Sequence, residues 1–210
     1  MTWKCFSFAA AVTSVIFIGA GCGKNTPAET FDSDMVLRLA RPSIEVSEVA
    51  LIQDTLVLVS GARFFFHPFG DFTSVDGFQR ATKSLFTLRQ EVFNEPPGAD
   101  DSVTILYRFS YSRSFVKCIL PHDPESSQQV EIVSGRIVDS SVQFVNGIHT
   151  GISKTLLLDQ FFSSFPEELS SRINVVEVAT ALSGEWHYYE CSNGVLSTIL
   201  LDSDYTLPKD

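Results

Sequence analysis

Polar and apolar residues alternate along much of the chain in short runs that are typical of β-strands. These runs are rich in β-branched and aromatic residues and are bounded by Gly, Pro or polar residues. They cover residues 55–59, 103–109, 114–120, 130–138, 174–179, 185–191 and 195–201. Asn193-Gly194 separates the last two runs, and this dipeptide favours a two-residue hairpin turn. The pattern therefore predicts a series of strands that ends in a hairpin.

Two other segments have the spacing of amphipathic helices. Ser74 is a suitable N-cap for a short helix over residues 75–84. Ser153 precedes a second predicted helix over residues 156–165, which Pro166 ends. The large apolar residues of this second helix are Leu157, Leu158, Phe161, Phe162 and Phe165. Because they fall on one stripe, we expect the helix to pack against the sheet of the last strands.

A short motif occurs twice in the chain. Val59-Ser60-Gly61-Ala62-Arg63 has a counterpart in Val133-Ser134-Gly135-Arg136, and each copy is followed by a Gly-containing turn, a Ser-capped helix and further strands. The sequence therefore predicts an α+β fold of two helix-plus-antiparallel-sheet units, consistent with an internal duplication. The first unit is expected over residues 35–140 and the second over residues 141–210.

The N-terminus has the features of an export signal. A short positively charged start that ends at Lys4 precedes an apolar or small-residue run over residues 6–21, which carries no charge. Such a run suits the central region of a secretory signal peptide, here residues 1–21. The alternative is an uncut membrane anchor, although no stop-transfer flank follows.

Gly19-Ala20-Gly21-Cys22 resembles the lipobox of bacterial lipoproteins, except that Gly19 stands where that family usually has Leu. The resemblance implies that the Cys22 thiol takes a diacylglycerol and that the new N-terminus is acylated, for example with palmitate. Residues 22–34 would then be the lipidated Cys and a flexible tether to the membrane. Gly23 is not the Asp associated with inner-membrane retention, so we expect the outer membrane, at its periplasmic face. The alternative is ordinary cleavage near Ala20, which leaves Cys22 as a plain thiol.

Two further cysteines remain in the mature chain. Cys118 and Cys191 both fall in predicted strands. In an oxidising compartment they would form a disulfide if their Cα atoms come close enough. The alternative is two separate buried thiols, and the sequence leaves both open.

The C-terminal part resembles the repeat shared by the outer-membrane assembly lipoprotein BamE and the β-lactamase-inhibitor proteins. The resemblance covers residues 145–202 and rests on Gly151-Ile152-Ser153, Trp186-x-Tyr188, Gly194-x-Leu196 and Ile199, without the Gly-x-Pro usual after the helix. It implies a helix followed by a small antiparallel sheet that binds other proteins without catalysis. As a whole, the chain is also similar to the small lipoproteins of Gram-negative envelopes, which implies no particular activity.

Net charge and motif spacing exclude several functions. A net charge of −10 with no dense basic segment argues against nucleic acid and against a polybasic membrane patch. Ser114-x-x-Lys117 matches a catalytic motif that requires a helix, yet it falls in a predicted strand. His67, His122, His149 and His187 do not have zinc-binding spacing, so each is expected to be an ordinary surface or half-buried histidine. We expect no catalytic residue, metal or cofactor.

Two aromatic runs are the candidate binding surface. Residues 64–69 and 186–189 each place aromatic side chains on both faces of a predicted strand. The candidate binding residues are Phe64, Phe66, Trp186 and Tyr188. Exposed aromatic clusters mark binding sites, although both faces would be buried if the two units pack together.

The sequence thus predicts a non-enzymatic envelope lipoprotein that binds a protein or another envelope component. The second interpretation is a glycan- or ligand-binding lipoprotein of an uptake system. An envelope hydrolase is the third, since a carboxylate pair for glycoside hydrolysis is recognised only by its separation in space.

Overall fold

The β-branched and aromatic runs of the sequence form the strands of one large sheet. The computed structural model describes residues 40–42, 46–72, 74–83, 85–94, 103–119, 130–180 and 184–205. Cys22 and the residues predicted to be a signal peptide and a tether, 1–21 and 22–34, lie outside these residues. The eleven described strands are β1 Arg41–Pro42, β2 Val46–Ile52, β3 Thr55–Ser60, β4 Thr87–Asn94, β5 Val103–Tyr111, β6 Ser114–Ile119, β7 Glu131–Ile137, β8 Phe162–Ser164, β9 Val175–Thr180, β10 Glu185–Ser192 and β11 Val195–Ser203.

Nine of these strands are hydrogen-bonded in the order β2-β3-β9-β10-β11-β7-β6-β5-β4. Neighbouring strands are antiparallel, except that β3 and β9 are parallel, with Leu58 opposite Val178. The sheet is therefore mixed, and its centre is the β10–β11 hairpin. Strands β1 and β8 form a separate antiparallel pair.

Four short helices accompany the sheet in the described part of the chain. They are α1 Arg63–Phe66, α2 Val75–Ala81, α3 Lys154–Leu158 and α4 Glu167–Arg172. Their buried residues, Phe65, Phe78, Leu157, Leu158 and Leu169, all belong to one core cluster with the inward residues of the strands. The helices therefore cover one face of the sheet. We call the opposite face the open face, because no described helix packs on it.

The predicted fold class is wrong. The chain is β-rich, with one mixed sheet in place of two helix-plus-sheet units. Strands β9 to β11, from residues 141–210, lie between β3 and β7, which come from residues 35–140. Because both edges of that three-strand group are hydrogen-bonded to strands from earlier in the chain, the two stretches cannot form separate sheets.

The repeated motif does not mark a duplication either. Ser60 is the last residue of β3, and the chain then enters α1. Ser134 and Gly135 instead lie inside β7. Close packing favours Gly135 there, since a Cβ atom would make tight contacts, 3.1 Å from the Leu201 side chain and 3.2 Å from the Phe115 carbonyl oxygen. The two copies therefore occupy different structural environments.

Local signals predicted the caps and the hairpin correctly. The Ser74 hydroxyl accepts a hydrogen bond from Gly77 N, and the Ser153 hydroxyl accepts one from Leu156 N. Asn193 and Gly194 both have positive φ, 52° and 74°, as a type I′ turn requires. The N-caps of α2 and α3 and the β10–β11 hairpin are thus confirmed.

The second predicted helix is much shorter than its pattern indicates. α3 ends at Leu158, and residues 162–164 form β8 with the chain around Arg41 and Pro42. The apolar stripe is nevertheless buried, since Phe161 and Phe162 are at most 1% exposed. Pairing with a distant strand thus satisfies backbone groups that a longer helix would have satisfied internally.

Candidate functional site

The two faces of β10 show which side chains the open face presents. His187 and Tyr189 point to the helices and are buried, whereas the intervening Trp186, Tyr188 and Glu190 are half-buried on the open face. This is the alternation of a strand with one face on a core. Because directly paired residues of neighbouring strands share a face, the register of the sheet identifies the rest of the open face.

Two rows of paired residues cross this face. The first row runs, from β9 to β5, through Glu177, Tyr188, Leu200, Arg136, Phe115 and Ser110. The second row runs, from β9 to β4, through Ala179, Trp186, Asp202, Ser134, Lys117, Arg108 and Arg89. The rows are adjacent, because each residue of the first row is two positions from a residue of the second along its strand.

A groove of about 550 Å³ lies across the centre of both rows, over strands β10, β11, β7 and β6. Its walls combine the apolar side chains of Phe115, Tyr188 and Leu200 with the charged side chains of Arg136 and Asp202. Pockets of this size that combine aromatic and aliphatic walls with a few polar groups are typical of ligand sites. The groove is the candidate functional site.

The β9–β11 side of the groove is acidic. Burial raises the pKa of Tyr188, and the carboxylates of Glu177 and Asp202 raise it further. The phenol is therefore neutral at physiological pH and offers a hydroxyl donor next to two negative charges. Glu190 also lines this side of the groove.

The β7–β4 side carries charges of both signs. The row next to the second row begins with Glu91 on β4 and ends with Glu131 on β7, while three cations of the second row face one another directly. Lys117 pairs with Arg108, and Arg108 pairs with Arg89, on three consecutive strands. The Arg108 guanidinium carbon lies 4.4 Å from the centre of the Phe115 ring, and Arg136 is paired with Phe115 in the first row. We call Lys117, Arg108, Arg89 and Arg136 the cation cluster.

Lys117 is the most enclosed member of this cluster. It is only 2% exposed, and burial lowers the pKa of its ammonium group. Glu91 acts in the opposite direction, and Arg108 lowers the pKa further. Lys117 is therefore an enclosed lysine with both a carboxylate and a guanidinium group nearby.

Ser134 lies between the acidic side and the cation cluster. It is paired with Asp202 on one side and with Lys117 on the other, and it lines the groove. Its hydroxyl oxygen is buried and has no hydrogen-bond partner among the described residues. A buried hydroxyl without a partner costs free energy, so a ligand that supplies one would be favoured here.

The structure separates the four residues predicted as a binding surface. Trp186 and Tyr188 lie on the open face next to the groove. Phe64 and Phe66 lie in helix α1 on the opposite side of the sheet, and Phe64 packs against the core. Residues 64–69 are thus not a strand, and the two aromatic runs do not form one surface.

The rest of the groove was not predicted from the sequence. Period-two alternation places Phe115 and Lys117 on one face of β6. Strands β5, β6 and β7 are consecutive in the chain, but the rest of the groove depends on the pairing of β7 with the distant β11, which sets Arg136 opposite Leu200 and Ser134 opposite Asp202.

The prediction that His187 is an ordinary surface or half-buried histidine is wrong. His187 is 3% exposed and packs edge-on against Phe65 in the core. Burial lowers its pKa to about 3, although a hydrogen bond with the backbone of Phe65 acts in the opposite direction. The imidazole is therefore a neutral part of the core, remote from the groove side of β10.

Cys118 and Cys191 are separate free thiols. Cys118 lies on β6 and Cys191 on β10, with β7 and β11 between these strands. Three strand spacings amount to about 14 Å, whereas a disulfide requires Cα atoms within about 7 Å. The disulfide alternative does not hold in this fold. Burial raises the pKa of Cys191 to about 11 and that of Cys118 still higher.

A smaller cavity of about 210 Å³ lies on the helix side, between the end of α2 and residues 141–145. Its lining includes Phe69, Phe86 and Phe144, and Lys83 is the only charged residue among the described ones that line it. Nowhere in the residues that the structure describes do three His, Cys, Asp or Glu side chains gather as a metal ion would require. In the same residues, no helix combines the length and the apolar character needed to cross a bilayer.

No protein-family model, curated protein or solved structure matches this chain.

Proposed function

We propose that this chain is a non-enzymatic envelope lipoprotein that binds another envelope component on the open face of its sheet. Residues 1–21 would be its signal peptide, and Cys22 would anchor it by lipid to the periplasmic face of the outer membrane. The lipobox-like Gly19-Ala20-Gly21-Cys22 supports the anchor.

The observation that carries the binding proposal is the groove on the open face. Half-buried Phe115, Tyr188 and Leu200 present apolar area there, while the described helices all pack on the other face. Apolar and aromatic area with a charged rim is the composition of a recognition surface. The opposite charges at its two sides would fix the orientation of the bound component.

A second candidate is a glycan- or ligand-binding lipoprotein of an uptake system. The groove volume of about 550 Å³ favours it, since small-molecule sites have volumes of about 300–1,000 Å³. Tyr188, Glu190 and Asp202 would supply an aromatic wall and hydrogen-bonding groups for hydroxyls.

Site-specific photo-crosslinking in intact envelopes tests the binding proposal. A photoreactive residue replaces Arg136, which is exposed beside the groove, or Leu156, which is 55% exposed on helix α3. We expect a discrete adduct from position 136 and none from position 156. Equal adducts from both positions, or none from position 136, would contradict binding on the open face. The mass of the adduct distinguishes a protein partner from a glycan or another small ligand.

A Cys22→Ala substitution tests the proposed anchor. Lipobox processing acts on the thiol of this residue, so the substituted precursor should stay uncut and should not be labelled by a fatty-acid probe. Normal maturation of the substituted protein would contradict the lipoprotein proposal. Protease treatment of intact cells tests the expected periplasmic face, and ready digestion would place the protein on the cell surface.

A further inference from the structure

Two charged side chains that line the groove have no partner among the described residues. Arg136 on β7 is exposed, and Glu190 on β10 is half-buried. Within the described part of the chain, neither the guanidinium group nor the carboxylate takes part in an ion pair or a hydrogen bond. A charged group makes its strongest hydrogen bonds with a group of opposite charge, so each of these side chains can bind an oppositely charged group of a ligand.

The register of the sheet sets the separation of these two charges. Arg136 is paired with Leu200 on β11, and Leu200 is paired with Tyr188 on β10, two residues before Glu190. Two strand spacings and two residues along a strand place the Cα atoms of Arg136 and Glu190 about 12 Å apart. A single ligand that contacts both side chains must therefore carry an anionic and a cationic group about 10 Å apart.

Two hydroxyl groups of the groove suit the uncharged polar part of such a ligand. Ser134 lies two residues before Arg136 on the same face of β7, and it is only 6% exposed. Its hydroxyl lines the groove and has no hydrogen-bond partner among the described residues. The neutral phenol of Tyr188 also lines the groove. A hydroxyl group both donates and accepts hydrogen bonds, so these two groups can bind the C=O and N–H groups of a peptide bond.

The remaining walls of the groove are largely apolar. Phe115, Tyr188 and Leu200 are half-buried there, and Leu200 lies between Arg136 and Tyr188 in the first row. Apolar side chains of a ligand would lose contact with water on these surfaces, which favours binding. Opposite charges at two ends, peptide-like polar groups and apolar side chains occur together in a short peptide with free termini.

We propose that the groove binds a short peptide of about three residues, with its C-terminal carboxylate on Arg136 and its N-terminal ammonium group on Glu190. An extended tripeptide spans about 10 Å, which matches the separation of these two side chains. Its central side chain would lie over Leu200. Asp202 accepts a hydrogen bond from Ser203 N, so it adds negative charge to the ammonium end without being assigned as its partner. This inference rests on the proposed function and names the class of the bound component.

Peptides with blocked termini test this assignment. The probes are the tripeptide Ala-Phe-Ala with both termini free, its N-acetylated form and its C-amidated form, each added to the full processed chain in neutral detergent. Of the two Trp residues, Trp3 would leave with the signal peptide, so the fluorescence of Trp186 reports on the open face. We expect a saturable change with the free tripeptide. Either block should lower the affinity about tenfold or more, because each removes a charge-assisted hydrogen bond.

Variants combined with the blocked peptides identify which terminus each charge binds. Arg136→Gln should weaken binding of the free tripeptide about tenfold or more, but it should change the affinity for the C-amidated form less than about twofold. Glu190→Gln should weaken binding of the free tripeptide to a similar extent and leave the affinity for the N-acetylated form within about twofold.

Two control variants separate the site from general electrostatics. Arg80→Gln on α2 and Glu168→Gln on α4 remove the same charges from exposed positions on the helix side of the sheet. Because solvent and salt screen charges at that distance, each control should change the affinity for the free tripeptide less than about twofold. Thermal melts establish that each variant is folded.

Several outcomes would overturn the assignment. They are no saturable change with the free tripeptide, equal affinity for the free and blocked forms, or unchanged binding of the free tripeptide by folded Arg136→Gln and Glu190→Gln proteins. Saturable binding of maltotriose without binding of the tripeptide would overturn it in favour of a glycan. If no peptide binds but crosslinking from position 136 in envelopes gives a protein or glycan adduct, the proposed function stands and only the peptide assignment fails. If that crosslinking also fails, both proposals fail.

Discussion

The Nδ1 atom of His187 lies 3.1 Å from the phenol oxygen of Tyr189, and both side chains are buried between β10 and the helices. These residues alternate along the strand with Trp186 and Tyr188, which lie on the open face, and Tyr188 lines the groove. One strand therefore supplies both part of the core and part of the candidate site. Changes to the two faces of β10 should affect different properties of the protein.

His187→Ala should destabilise the protein by about 2–5 kcal/mol, the range found when large buried side chains are truncated. The loss includes the cavity left in the core and the unpaired hydroxyl of Tyr189. Chemical denaturation measures it, and Tyr188→Ala on the open face is the control, for which a smaller loss is expected. A His187→Ala protein as stable as the wild type would contradict the buried position of this residue.

Stability should fall with acidification because of His187. Its pKa in the folded protein is about 3, below the value of about 6.5 in an unfolded chain. Between these values the unfolded state binds more protons, so stability is complete above about pH 6.5 and falls by about 1.4 kcal/mol per unit toward pH 3.

Unfolding free energies measured between pH 7 and pH 4 test this. The glutamine of His187→Gln does not titrate, so the free energy of unfolding of this variant should change less with pH than that of the wild type. The difference between the two slopes should correspond to at most one proton taken up on unfolding. Parallel curves for the wild type and His187→Gln would show that His187 is not kept neutral by burial.

Phe161→Ala and Phe162→Ala should each cost about 3–5 kcal/mol, since both rings are almost fully buried. Phe161 stacks on Phe65 with ring centres 5.8 Å apart, which links residues 159–161 to helix α1. Leu156→Ala, in the same segment but 55% exposed, should change stability by less than about 0.5 kcal/mol. Similar melting temperatures for all three variants would refute the packing of this segment.

Arg89→Gln should stabilise the protein slightly when no ligand is present. The substitution removes a positive charge directly opposite Arg108. Removing such a repulsion stabilises a sheet by about 0.2–1 kcal/mol, and we expect the low end of this range because Arg89 is exposed. Arg80→Gln should act in the opposite direction, since Arg80 lies in the last turn of α2, where a cation is favourable. Melts at low salt detect both effects, and about 1 M salt should abolish them. A loss of stability in Arg89→Gln would contradict repulsion within the cation cluster.

Both thiols of Cys118 and Cys191 should remain free and react slowly. The pKa of Cys191 is about 11, so its thiolate is scarce at pH 8, and Cys118 is fully buried. Iodoacetamide followed by mass spectrometry should label neither thiol rapidly in the folded protein and both after denaturation. Protection that persists in denaturant until a reductant is added would reveal a disulfide instead.

Features that depend on neighbouring residues were determined by the sequence itself. The caps at Ser74 and Ser153, the Asn193-Gly194 turn and the period-two strands depend on backbone dihedral preferences and hydrogen bonds within a few residues. For this reason they could be predicted without knowing the rest of the fold. The same patterns identified the core residues Phe161 and Phe162.

Tertiary structure alone decided the order of the strands and, with it, the candidate site. The parallel contact of β3 with β9 and the insertion of β9–β11 beside β7 bring together segments that are distant in the chain, and β3 and β9 are more than a hundred residues apart. Only the pairing of β7 with β11 sets Arg136 opposite Leu200 and Ser134 opposite Asp202, and only the packing of helices on one face buries His187. Backbone hydrogen bonds between strands are the same whatever the side chains are, so the local pattern specifies a strand but not its neighbour.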